Sequence, residues 1–198
     1  MIKNKPFLYI ISLAFFLVLS TPAFSQGPVY QNSEEGVEDW TIVESSYATI
    51  FVDGNIDLKD VERQIDVSFA RYDPIEEKLF YNKGLTEEER LAVKIDIIVR
   101  KDKKTLDMHP RGFHVKIRIY KSNKELWNVY REIFNERKKY KAFYIHKFRT
   151  IYISLPNVSE SILAHEIGHS IIDNYFAVLP PSKIRELLAC YCDVHLKD

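Results

Sequence analysis

One short segment combines residue types and a spacing that could perform chemistry: His165-Glu166-Ile167-Gly168-His169, an H-E-x-x-H pattern. Residues four apart on a helix lie one turn apart on the same face, so two imidazoles can converge on one ion. Neutral imidazoles suit Zn²⁺ at about 2.0–2.1 Å. Glu166, one step round the helix, can reach a water molecule on the ion and take its proton as the water attacks a carbonyl carbon. The segment therefore predicts a hydrolytic zinc centre.

The alternative interpretation of this segment is an ordinary surface helix with two histidines and an acid. Its context argues against that interpretation, because Ala164 and Gly168 are small and the flanking residues are apolar over much of the helix. Buried histidine and glutamate side chains are costly unless they bind something. The apolar context therefore favours the metal site.

Two helices are predicted around this chemistry. Asn157 with Glu160 forms a capping pattern for the first, which ends near Tyr175. Pro180 and Pro181 interrupt the chain, and a second helix is expected over residues 181–196.

The preceding residues predict a small mixed sheet with helices, an α+β fold. Capping boxes at Thr86 with Glu89 and at Ser122 with Glu125 favour helices, although residues 91–100 also alternate as a strand would. We expect strands at 47–52, 113–120, 142–146 and 150–155, the last two joined as a hairpin by 147–149, and helices at 57–72, at 86–107 and after Ser122.

Residues 150–196 resemble the zincin metallopeptidases, whose H-E-x-x-H helix supplies two zinc ligands and the general base. The resemblance implies that His165 and His169 bind one zinc ion and that Glu166 is the catalytic base. It also implies an edge strand beside the active-site helix that binds a peptide or protein substrate in extended form. Residues 150–155 stand where that strand would be, with an ordinary sheet edge as the alternative.

The third ligand distinguishes branches of this family. The metzincin extension would need glycine and histidine where this chain has Ile172 and Tyr175, which excludes that branch. Glutamate zincins take their ligand from a following helix, often in an E-x-x-A setting, and Glu186 with Ala189 matches this. The resemblance therefore implies a zincin-like fold of the glutamate branch, with Glu186 as the third ligand on a second helix.

Other acids and thiols compete for roles at the site. Asp173 lies two turns from His165 and is too short to reach the ion, so it is expected to support the site or cap the helix. Asp193 could orient a ligand histidine or be a solvated acid, and His195 is expected to be exposed. Cys190 stands where thermolysin-like members carry aspartate; we expect it to pack in the interior, with metal ligation as the alternative.

The sequence does not assign a proton donor, and it argues against a disulfide between the two cysteines. The proton donor or oxyanion partner is unassigned, with four candidates: Tyr152, Tyr175, Tyr191 and His195. Cys190 and Cys192 point about 200° apart on a helix, so they are not expected to form a disulfide with each other.

The N-terminal residues predict export. Lys3 and Lys5 precede an apolar run at 7–19, and small residues follow, which is typical of a signal peptide cleaved after Ser25. The run is short for a membrane span, although an uncleaved anchor is the alternative. Residues 26–39 are polar and predict a flexible linker, which leaves 40–198 as a single domain that is periplasmic or secreted, without a stable membrane anchor.

Composition excludes several classes of protein. The 198 residues carry 28 basic and 28 acidic side chains, with 46% hydrophobic residues. Removal of residues 1–25 deletes two lysines and no acids, which gives 26 against 28 and a net charge of −2. This balance does not indicate a polybasic nucleic-acid binder or an acidic disordered chain.

We expect an exported zinc-dependent metallopeptidase; the alternatives are a catalytically inert zinc-binding module and, less favoured, another zinc-assisted hydrolysis such as amide cleavage in the cell wall.

Overall fold

Five strands form one mixed sheet in the order β1-β2-β3-β5-β4. The computed structural model describes residues 39–68 and 84–197. The two pairs at the sheet margins are antiparallel, and β2, β3 and β5 are mutually parallel. The strands are β1 (Trp40–Glu44), β2 (Ala48–Asp53), β3 (Val115–Tyr120), β4 (Ala142–Ile145) and β5 (Thr150–Ser154). The predicted small mixed sheet in an α+β arrangement is confirmed at this level.

Five α-helices accompany the sheet in the described part of the chain. They are α1 (Leu58–Gln64), α2 (Glu87–Leu106), α3 (Asn123–Phe134), α4 (Glu160–Tyr175) and α5 (Ser182–Val194). The capping boxes at Thr86 with Glu89 and at Ser122 with Glu125 are both present, so the helical interpretation of residues 91–100 is confirmed.

The helix predicted at 57–72 is shorter than expected. It ends at Gln64, and residues 65–67 are not helical, while 69–72 lie outside the described residues. The buried Lys94 ammonium explains the early end, because it donates to the carbonyls of Glu62 and Ile65, each at 2.7 Å. These carbonyls therefore accept hydrogen bonds from a side chain of α2 and not from the amides of a further helical turn.

The N-terminal cap of α4 also differs from the prediction. Ser159, not Asn157, is the cap, and its hydroxyl accepts from the Ile162 amide at 3.3 Å. The Asn157 side-chain amide instead donates to the Ser154 hydroxyl at 2.7 Å and to the side-chain Oδ1 of Asn123. Asn157 therefore joins the end of β5 to the start of α3.

The predicted edge strand at 150–155 is not at an edge, which corrects that prediction. Residues Thr150–Ser154 are all buried and pair with β3 on one side and with β4 on the other. The edge beside α4 belongs to β4, the first strand of the correctly predicted hairpin. Hydrophobic alternation identifies a strand but not its position in the sheet, and this explains the error.

Side chains pack on both faces of the sheet. On one face α1, α2 and α4 cover the larger core, in which Ile95, Ile117, Ile151 and Ile167 are fully buried or nearly so. On the other face α3 covers a smaller aromatic cluster made of Tyr120, Leu126, Tyr130, Phe143 and Tyr152. The site described below lies where these two faces meet at β4.

The described residues contain no helix that is both long and apolar enough to cross a bilayer. The predicted signal peptide at 1–25 and most of the predicted linker at 26–39 lie outside the described residues. Those two predictions therefore stay predictions.

Candidate metal centre

Helices α4 and α5 bring three predicted ligands together. His165 and His169 lie one turn apart on α4, with ring centroids 4.9 Å apart and ring planes nearly perpendicular. The chain turns at residues 176–181, and α5 packs back on α4 so that the Glu186 carboxylate faces both rings. Glu186 Oε1 lies 3.4 Å from His165 Nε2, and Oε2 lies 3.3 Å from His169 Nε2.

The two distances between the Glu186 oxygens and the imidazole nitrogens are those expected for ligand atoms of a zinc ion. Two ligand atoms held about 2.0–2.1 Å from a tetrahedral ion lie roughly 3.3 Å apart. Both imidazoles are largely buried, with 22% and 19% of their side-chain surfaces exposed. Burial, and next the neighbouring His165, lower the pKa of His169, which favours the neutral imidazole that a metal requires.

Glu166 lies beside this group on the buried side of α4. Burial raises the pKa of its carboxyl to about 8, and the Glu186 carboxylate adds to the increase. A hydrogen bond with the backbone of Tyr144, on β4, acts in the opposite direction. Glu166 is thus a buried carboxyl between the face of α4 that carries the two histidines and the edge strand, where it can exchange a proton.

A second charged cluster lies one turn beyond His169. The Asp173 carboxylate is buried and lies 3.3 Å from Arg185 Nη1 and 3.5 Å from His146 Nδ1. Asp173 therefore holds Arg185 and His146, which are both outside the ligand set, and its expected support of the ligands stays a prediction. Sequence reasoning missed Arg185, although its position directly before Glu186 was a usable signal. His146 follows β4 and carries no local signal.

The two cysteines have different environments. Cys190 is exposed, which contradicts its expected burial. His165, Glu186 and Cys190 each place a ligand atom within 4.8 Å of the other two. Partial desolvation and the Glu186 and Asp193 carboxylates raise the pKa of the Cys190 thiol, which disfavours its thiolate. Cys192 is buried, and its sulfur faces Gly168 between the two helices.

The remaining rivals lie away from the ligand group. The Asp193 carboxylate accepts a hydrogen bond from the Ser161 hydroxyl, so it ties α5 to the start of α4 and does not orient a ligand histidine. His195 is half-buried instead of exposed, because its ring lies 4.1 Å from the Tyr191 ring.

The tyrosines proposed as proton donors do not line the cleft around the site. Tyr152 is buried in the aromatic cluster, stacked on Phe143 at 4.9 Å. Tyr175 contacts Phe176 at the end of α4, and Tyr191 contacts His195. Arg185 and His146 are two polar groups of the cleft that could serve instead.

A cleft of about 460 Å³ contains the whole group. Its lining includes the motif residues with Asp173, Arg185 and Glu186, and residues of the edge strand β4. Four aromatic residues also line it: Tyr130, Phe134, Tyr140 and Phe143. An extended chain could therefore lie along β4 beside the imidazoles.

Comparisons with protein-family models, with curated proteins and with solved structures find no match to this chain.

Proposed function

We propose that the protein is a zinc-dependent metallopeptidase, similar to the glutamate branch of the zincins, in which His165, His169 and Glu186 bind one zinc ion. The main supporting observation is the position of the Glu186 carboxylate, which places one oxygen 3.3–3.4 Å from each imidazole beside the buried Glu166. Each belongs to a different turn of two packed helices, so the arrangement requires the tertiary fold.

Zinc bound there supplies a Lewis acid that polarises a carbonyl and lowers the pKa of a water molecule. Glu166 accepts the proton from the attacking water and can return it to the leaving amine. Its burial excludes competing solvent, and the Tyr144 backbone holds its carboxylate at the edge of β4. The base is therefore fixed between the water and the substrate strand.

The edge strand supplies the substrate path. In an antiparallel pair, the backbone amide and carbonyl of one residue point the same way and alternate with the next residue. Because the Tyr144 backbone meets Glu166, the backbone groups of Ala142, two residues earlier, also face away from β5. An extended peptide can pair with these groups. We therefore move the proposed substrate strand from 150–155 to 142–145.

Arg185 is the proposed electrostatic partner of the reaction. Its guanidinium lines the cleft and donates a hydrogen bond to the Asp173 carboxylate. Arg185 directly precedes Glu186 in the sequence. A fixed cation near a developing oxyanion stabilises the transition state more than the ground state. This assigns to Arg185 the role for which the tyrosines were candidates.

The proposed site of action is outside the cytoplasm, on the basis of the signal-like residues 1–25. No nucleic-acid partner is proposed, since the net charge is close to zero.

The test compares wild type with Glu166→Gln, a substitution that keeps the shape of the side chain and removes the base. We expect both proteins to bind one zinc ion per chain and to unfold at similar temperatures. Wild type should hydrolyse members of a mixed peptide library, monitored by mass spectrometry, and the variant should be slower by at least about 100-fold.

Three outcomes would contradict the proposal. Equal inactivity of both proteins across the library would favour the inert zinc-binding module. Equal activity would place the base elsewhere. Cleavage of cell-wall amides without cleavage of peptides would favour the third hypothesis.

A further inference from the structure

The cleft continues beyond the metal-binding residues to a surface that the proposed reaction does not use. This surface, called the aromatic wall below, is formed by Phe134, Tyr140 and Phe143 around Tyr130. It belongs to the α3 face of the sheet, whereas the imidazoles belong to the α4 face. The two halves of the cleft meet at the outer edge of β4.

Side-chain alternation on β4 explains this arrangement. Phe143 points to the α3 face, where its ring stacks on Tyr152 at 4.9 Å and meets Tyr130 edge-on at 5.1 Å. Ala142 and Tyr144 point to the other face and contact the larger core. A peptide added to this edge would continue the same pleat. Its side chains would alternate between the metal-binding half and the aromatic wall.

The aromatic wall is ordered but incompletely covered. Phe134 is 43% exposed and Tyr140 is 40% exposed, although both rings contact Tyr130, at 4.5 and 4.9 Å. The Trp127 indole donates to the Tyr140 carbonyl at 2.9 Å and fixes this residue against α3. Preformed rings with exposed surface can receive an apolar side chain without a large ordering cost.

The segment that leads to this wall is basic. Residues 135–141 contain four basic side chains and one acid, a net charge of +3, and all are exposed. Lys138 is paired with Glu136 at 2.8 Å, and Lys139 lies 5.0 Å from the Trp127 ring. Arg137 and Lys141 add positive charge to the segment that carries the cleft residue Tyr140, which complements an acidic ligand.

We propose that the aromatic wall is the subsite for an aromatic or large aliphatic side chain of an acidic, extended peptide bound along β4. This inference rests on the peptidase function proposed above and specifies its substrate class. Neighbouring positions of the same peptide would enter the metal-binding half of the cleft.

Binding can be measured separately from turnover in the full-length, zinc-loaded Glu166→Gln variant. The probes are fluorescein-labelled peptides that differ only in one residue, Phe or Ala, within a Glu-containing or a Lys-containing sequence. We expect the Phe peptide to bind at least about 10-fold more tightly than the Ala peptide, because burial of the Phe ring removes more apolar surface from water than burial of the Ala methyl group. The Glu sequence should be preferred at low salt and less so at about 0.5 M salt.

Substitutions then locate the subsite. Adding Phe134→Ala and Tyr140→Ala should reduce the Phe-over-Ala preference to about twofold or less, and Phe134→Ala alone should reduce it in part. Ile42→Ala is the matched control, because Ile42 is 55% exposed on β1 at the opposite edge of the sheet. It should leave the preference unchanged. Arg137→Ala with Lys141→Ala should remove the preference for Glu.

The outcomes separate this inference from the proposed function. If Phe and Ala peptides bind equally, or if the preference survives loss of both Phe134 and Tyr140, the subsite is wrong even when peptides are hydrolysed. If wild type hydrolyses nothing but the Phe preference depends on the aromatic wall, the reaction is wrong and the subsite stands.

Discussion

Glu186 and Cys190 both offer a ligand atom to the space beside His165. The carboxylate faces both imidazoles, whereas the raised pKa of the Cys190 thiol disfavours the thiolate that a metal needs. We therefore expect Glu186→Ala to weaken zinc binding by more than the roughly 10–100-fold that loss of an outer-shell partner costs. Cys190→Ser should change it by about twofold or less.

Chelator competition measures both affinities, and cobalt substitution identifies the donors. A thiolate-to-cobalt charge-transfer band in wild type that disappears in Cys190→Ser would contradict ligation by Glu186 alone. Full zinc retention in Glu186→Ala would move the third ligand to Cys190.

Arg185 should influence the rate more than substrate binding. Removing one preorganised donor from a developing oxyanion typically lowers kcat by about 100- to 1000-fold. We expect a fall of this size for Arg185→Gln, with KM changed by about threefold or less and zinc content intact, and a smaller fall for Arg185→Lys. A large rise in KM at constant kcat would instead make Arg185 a substrate-binding residue.

Asp102, on α2, is a buried acid outside the site. Its side chain is fully buried, and burial raises the pKa of its carboxyl well above the usual value. Neither carboxyl oxygen has a strong donor among the residues described, and the nearby Cys192 thiol, a weak donor, offsets the effect only in part. The folded protein therefore holds Asp102 in its neutral form at pH values where the unfolded chain has released the proton.

This pKa shift predicts how stability depends on pH. Above the ordinary value of 3.8 the unfolded state binds fewer protons, so Asp102 lowers the free energy of unfolding by about 1.4 kcal/mol per pH unit, up to its raised folded pKa. Asp102→Leu removes the group at similar volume. The variant's advantage in urea unfolding should therefore grow from pH 4 to pH 7, and an advantage independent of pH would contradict a raised pKa.

At the scale of elements, the contact between α4 and α5 sets the distance between the histidines and Glu186. An alanine Cβ at Gly168 would lie 3.0 Å from Cys192 Sγ and 3.4 Å from Ala189 Cα. Gly168→Ala should therefore separate the helices, lower the free energy of unfolding by about 1–3 kcal/mol and weaken zinc binding although every ligand remains.

Adding Cys192→Ala to Gly168→Ala is the control for this mechanism, since it removes the sulfur that the new methyl group meets. Calorimetry and chelator competition should show substantial recovery of both stability and zinc affinity. Failure of the double variant to recover either quantity would show that the glycine acts otherwise than through helix spacing.

Local signals in the sequence predicted where the helices and strands lie better than which elements pack against one another. The capping boxes at Thr86 and Ser122 are short-range hydrogen-bond patterns, and both are formed. The four-residue spacing placed His165 and His169 on one helical face. The end of α1 depends on Lys94, which is distant in sequence. The buried position of β5 depends on its pairing with β4, which local alternation does not reveal. His146 reaches Asp173 by the same kind of long-range contact.

At the scale of the whole molecule, the two helices that carry the proposed ligands differ in how many of their residues are buried. α4 buries nine of its residues, whereas α5 buries only Ala189 and Cys192. The outer side of α5 leaves large apolar residues exposed: Ile184, Leu187, Tyr191 and Val194. In the absence of metal, α5 therefore depends on few buried contacts and should open more easily than α4.

Zinc should accordingly stabilise the protein mainly through α5. At a free zinc concentration about 100 times Kd, binding to the folded state adds about 2.7 kcal/mol. For a domain of this size we expect Tm to rise by about 5–10 °C. Slower amide hydrogen exchange should be concentrated in residues 182–194, and EDTA should reverse both effects. Glu186→Ala should lose the protection of α5 even where the histidines retain some zinc, because Glu186 is the proposed ligand on α5. Uniform protection across the sheet, or none in α5, would contradict a metal site that spans the two helices.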